Sequence, residues 1–91
     1  MFVVVCYDCA NNKRRLKVAD ILLDYGYRVQ YSVFEAELSE IVEREMLLRL
    51  KKAIDCEEDS LRVYHICQRC LAGIICSGNA ELTNQEKVFI V

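Results

Sequence analysis

Asp8 closes a run of apolar residues, and a carboxylate in that position could hold a hard cation or face a phosphate. Phe2-Val3-Val4-Val5-Cys6 reads as a strand covered on both faces, which leaves the sheet at Tyr7-Asp8. An acid at the rim of a rigid sheet is well placed for chemistry. It is the only acid in the first 19 residues. The cations follow: Lys13 to Arg28 carries five basic residues against two acids. Arg14, Arg15, Lys17 and Arg28 are the candidate nucleic-acid contacts, because guanidinium and ammonium groups meet phosphate oxygens without reading bases. Glu35 to Asp59 carries nine acids and four basic residues, so the charge is polarised although the net charge is only −2. Totals of this kind argue against general nucleic-acid binding and allow one local phosphate-binding face.

A single carboxylate holds a catalytic metal poorly. A twofold dimer would bring Asp8 beside Asp8 of the partner subunit, and two carboxylates with waters suit Mg²⁺ or Mn²⁺. Such an ion would neutralise charge on a phosphodiester under attack. This reading makes Asp8 the catalytic and metal-binding residue, with activity that needs a divalent cation and rises above neutral pH.

Two Cys-x-x-Cys pairs, Cys6/Cys9 and Cys67/Cys70, suggest zinc or redox chemistry. Cys6 lies in the expected strand, where positions three apart face opposite ways, and neither pair has tight-turn glycines. The expectation is therefore reduced, mostly buried thiols at Cys6, Cys67 and Cys76. His65, on an apolar strand with no acid three or four residues away, reads as a packed or interface histidine. No Ser-His-Asp set, phosphate-cradling glycine loop or dinucleotide fingerprint is present.

These groups need a scaffold. Residues 2–7 predict a strand and 12–25 a helix, capped by Asn11 or Asn12 and ended by a left-handed Gly26. Residues 28–38 predict two strands of a bent hairpin, turning near Ser32 to Glu35. Ser39 caps a helix to Ile54 with Val42, Met46, Leu47, Leu50 and Ile54 inward. An acidic loop, Asp55 to Asp59, precedes a strand at 61–66. Leu71 to Cys76 is a further apolar segment, and Lys87-Val88-Phe89-Ile90-Val91 a terminal strand.

The order β-α-β-β-α-β predicts an α+β, ferredoxin-like sandwich over residues 1–91, one domain with extra C-terminal strands. Helices on one face leave the other bare although strand 1 is apolar on both sides, which predicts a homodimer packed sheet on sheet. A chain of 91 residues that is 54% hydrophobic has apolar surface to spare for such an interface. No run approaches a membrane span of roughly 20 apolar residues, and no basic region precedes the first apolar stretch. The expectation is a soluble, cytoplasmic protein with reduced cysteines.

Val3-Val4-Val5-Cys6-Tyr7-Asp8, Lys13-Arg14-Arg15 with Val18-Ala19, and Asp24-Tyr25-Gly26 come first in a longer pattern. Arg28-Val29-Gln30-Tyr31-Ser32-Val33-Phe34-Glu35, Leu38-Ser39 and Asp59-Ser60-Leu61-Arg62-Val63-Tyr64 complete it. In order and spacing these pieces resemble the CRISPR-associated protein two family, the small subunit of the CRISPR spacer-acquisition machinery. The resemblance covers roughly the first three quarters of the chain, and the Gln-Tyr-Ser-Val-Phe run beside a Tyr-Asp strand end is its specific part. It implies a homodimer in which the segment after residue 70 adds strands to the partner's sheet. It also implies endoribonuclease or DNase activity at Asp8, with Arg15, Lys17, Arg28 and Phe34 at the site and Tyr7 and Ser32 lining it. Lys17 departs from the family pattern, where arginine is the stronger match. The implied partners are duplex DNA or single-stranded RNA and the CRISPR integrase. Two functions stand side by side: a metal-dependent nuclease, and an adaptor that holds duplex DNA between integrase dimers without cutting it.

Overall fold

A computed structural model describes residues 1–78 of the 91. Strand β1 (Phe2–Asp8) leads to α1 (Asn12–Leu23), then to β2 (Tyr27–Gln30), β3 (Val33–Glu37) and α2 (Glu40–Ala53). Strand β4 (Ser60–Ile66) and a short α3 (Gln68–Ala72) follow. The sheet is antiparallel in the order β2-β3-β1-β4, the ferredoxin-like arrangement that the element order predicts. The terminal strand expected at 87–91 lies outside the described residues. Among those described, no helix is long and apolar enough to cross a membrane.

Helix α1 begins because the Asn11 side chain accepts the Arg14 N–H at 3.0 Å. Its buried residues Val18, Ala19, Ile21 and Leu22 recur at helical spacing, whereas Leu16 and Leu23 face solvent. Ser39 caps α2 by accepting the Val42 N–H at 3.2 Å. Glu40 and Glu43 in its first turn and Lys51 and Lys52 in its last complement the helix dipole. The buried stripe of α2 runs through Met46 and Leu50, with Leu47 and Ile54 half-buried, but Val42 is exposed. Glu43 takes the inward place in the first turn, where its carboxylate meets His65 Nε2 at 2.5 Å. His65 thus has an acid partner after all, supplied by α2.

Two further expectations are corrected. The hairpin turns at Tyr31-Ser32, at the leading end of the expected bend, and Val33 to Glu35 already belong to β3. Gly26 is not left-handed; among the described glycines only Gly78 has positive φ. A Cβ at Gly26 would stand 2.2 Å from the Glu35 carbonyl oxygen and 2.7 Å from Ala36 Cβ. Glycine is needed there because the turn between α1 and β2 passes directly against β3.

Val3, Val5 and Tyr7 of β1 pack with Phe34 and Ala36 of β3 beneath both helices. Tyr25 joins the helices: its hydroxyl donates to Glu45 at 2.6 Å and accepts from Arg49 at 3.1 Å. The opposite face is only partly bare. Leu71 of α3 is buried against Phe2, with Val4, Ile66 and Ile74 around them.

Candidate active site at the end of the central strand

Strand alternation divides the end of β1 into two sides. Tyr7 turns into the core, and Asp8, on the opposite face with Cys6, is exposed. Strand β4 sets Ser60 directly across from Asp8 and Arg62 across from Cys6. Cys6, Tyr7, Asp8, Ser60 and Arg62 line one shallow depression of about 260 Å³. A hydrogen bond with the Tyr64 side chain holds Arg62 more firmly in its charged form. Arg62 was missed because the sequence reading followed the density of basic residues between Lys13 and Arg28. The signal available was the alternation Ser60, Arg62, Tyr64 on one face of β4.

The core side collects three of the expected site residues. The Tyr7 N–H donates to the Ser32 carbonyl at 3.1 Å, and the Tyr7 hydroxyl donates to the Tyr31 carbonyl at 3.3 Å. The rings of Tyr7 and Phe34 lie 6.1 Å apart, and the Arg28 guanidinium stands 5.4 Å from the Phe34 centroid. Phe34 is buried, a platform for Arg28 rather than an open stacking surface. Arg28 itself is exposed on edge strand β2, two strands from β1.

The loop after Asp8 is fixed by a residue that sequence reasoning left in an acidic loop. The Asp59 side chain is fully buried. Its carboxylate accepts the Ala10 N–H at 2.9 Å, the Asp55 N–H at 2.9 Å and Arg14 Nε at 2.7 Å. Arg14, together with those backbone donors, holds the carboxyl well below the usual range. Arg14 also reaches Glu58 at 2.9 Å, so acidic residues engage the guanidinium that was expected to meet phosphate. Arg15 donates to the Cys9 carbonyl at 2.9 Å and to Asn12 at 2.8 Å, beside the strand end. Lys17 is exposed on α1.

The cysteines depart from expectation. Cys9 is the buried thiol, with its pKa raised first by burial and then by Asp59. Cys6 is half-buried, while Cys67 and Cys76 are exposed.

As a metal site the rim offers little from one chain. Among the described residues, no group of three or more His, Cys, Asp or Glu side chains could hold an ion. An exposed carboxylate facing a serine hydroxyl does fit a largely hydrated Mg²⁺ that takes one or two carboxylates.

A four-stranded ferredoxin-like domain with an exposed acid at the end of its central strand is the class that fold and rim define. Within that class, the family described as CRISPR associated protein Cas2 matches residues 1–74. This chain belongs to that family. It is 43% identical over 88 residues to a Synechocystis protein named CRISPR-associated endoribonuclease Cas2 3, covering 97% of this chain and 96% of that one. The crystal structure of Streptococcus pyogenes Cas2 superposes with a TM-score of 0.74 at 34% identity, over 86% of this chain and 100% of that chain. A chain of a partial Cas6-RT-Cas1–Cas2 complex shares the fold, with a TM-score of 0.74 at 24% identity over 94% of this chain and 97% of its own.

Proposed function

We propose that this chain is the small subunit of CRISPR adaptation, a homodimer that binds duplex nucleic acid, bridges the CRISPR integrase and cleaves phosphodiesters at Asp8. The observation that carries the nuclease reading is the exposed Asp8 carboxylate on a doubly paired strand, in one depression with Ser60 and Arg62. In the dimer, Asp8 and Asp8 of the partner subunit would hold Mg²⁺ or Mn²⁺, which supplies positive charge to the phosphodiester under attack. Arg62 and Arg15 would hold phosphate oxygens on either side of the strand end, with Arg28 and Lys17 extending the contact. Tyr7, Ser32 and Phe34 keep the strand end in place through the bonds and ring contacts described above. Val4, Cys6 and Tyr64, the last 48% exposed, supply the surface for a second copy. The relatives' names support the nuclease, and the Cas1–Cas2 assembly of a fold relative supports the integrase partner.

The test is cleavage of single-stranded RNA and duplex DNA with Mg²⁺, comparing wild type with Asp8→Asn. Asn preserves size and removes the charge. Metal-dependent cleavage lost in the variant supports the nuclease; cleavage indifferent to the substitution removes it. A second reading, an adaptor without physiological cleavage, is favoured by the single carboxylate each chain brings to the rim. That reading keeps duplex binding and dimerisation in Asp8→Asn.

A further inference from the structure

We propose that Cys67 and Cys70 form a thiol–disulfide exchange site, which reacts with low-molecular-weight disulfides and closes to an internal Cys67–Cys70 disulfide. Both thiols are exposed. The Cys67 carbonyl accepts the Leu71 N–H at 2.8 Å and the Cys70 carbonyl accepts the Gly73 N–H at 3.0 Å, so one turn of chain carries both sulfurs. Positions three apart on such a turn lie roughly 5–6 Å apart at Cα, within the range a disulfide spans without backbone movement. Leu71 is buried against Phe2, which pins this turn to the sheet before any bond forms between the sulfurs.

The two thiols also differ from one another. Hydrogen bonds from Cys70, through its backbone and its side chain, lower the pKa of Cys67, and the same thiol contact raises that of Cys70. This asymmetry gives the pair an attacking and a resolving member. The Cys67 thiolate attacks one sulfur of the small disulfide, forming a mixed disulfide and expelling one thiolate. Cys70 then loses its proton and attacks Cys67 Sγ, expelling the second. Two protein thiols are oxidised by two electrons, the small disulfide is reduced to two thiols, and the two thiol protons end on the leaving groups.

The experiment treats the full chain with oxidised glutathione, quenches by alkylation and maps each cysteine by peptide mass spectrometry. Cys56 and Cys76, both exposed, are internal controls. Cys67 is expected to react about fivefold faster than either, and the wild-type product is the internal disulfide without glutathione. Cys70→Ser is expected to stop at a stable glutathione adduct on Cys67. Reaction of Cys67 at the rate of Cys56 and Cys76, or a wild-type product that keeps its glutathione, would overturn the proposal.

Discussion

Arg14 and Asp59, 45 residues apart in sequence, meet at 2.7 Å beneath the loop that leaves the end of β1. The same carboxylate accepts the Ala10 N–H, two residues beyond Asp8. The bond therefore ties the start of α1 and the entrance to β4 to the rim of the site.

Asp59→Asn should expose that dependence through pH. The Asp59 carboxyl is held below its ordinary value near 3.8, so its contribution to stability is complete above that value and fades as pH falls through the folded-state value. Wild type should lose stability progressively below about pH 4. The variant should show a shallower acid limb and melt on the order of 10 °C lower at pH 7. Thermal melts at pH 7 and pH 3 decide this, and parallel curves would show that the bond carries no such linkage.

Gly26→Ala should be among the most damaging single-methyl additions in the chain. The new Cβ would meet the Glu35 carbonyl oxygen, a backbone atom that cannot swing away. Overpacking of this kind costs about 1–3 kcal/mol or more. A lower urea midpoint with an unchanged m-value would register it; an unchanged midpoint would mean that the turn at Gly26 moves freely away from β3.

Arg62→Ala should weaken duplex binding and reduce the slope of log affinity against log salt by about 1. Arg44→Ala is the control, since Arg44 is exposed on α2 and paired with Glu40 at 3.1 Å. Fluorescence anisotropy across a salt series separates the two. Equal slopes would remove Arg62 from the nucleic-acid surface.

Much of the scaffold was legible because its determinants are local. Asn11 and Ser39 announce their helices, and the apolar run of β1 announces a strand with two covered faces. The features that escaped are relations between distant segments. Val42 fits the helical period as well as Glu43 does, and only the position of His65 across the α2–β4 packing decides which turns inward. Asp59 looks like one more acid in a solvated loop until β4 brings it to Arg14. Gly26 was recognised as special for a local reason, whereas its cause is a neighbour on β3. Arg62 stood inside a recognised motif, yet only the β1–β4 register sets it beside Asp8's face of the sheet. Cys67 was set aside as buried because nothing local to it shows that α3 lies on the sheet's far face with the Cys67 and Cys70 thiols outward.

Strand β1 has a neighbour on each side, whereas β2 lies at the sheet edge with all four residues exposed. Amide hydrogens at Val3 and Val5 should exchange only when the whole domain opens, while those of Tyr27 to Gln30 exchange through local fraying. The carboxylate at the end of β1 thus stands on the central strand, held there by β4, and the arginine on β2 on an exposed edge. A nucleic acid held between them would meet a fixed point on one side and a yielding one on the other.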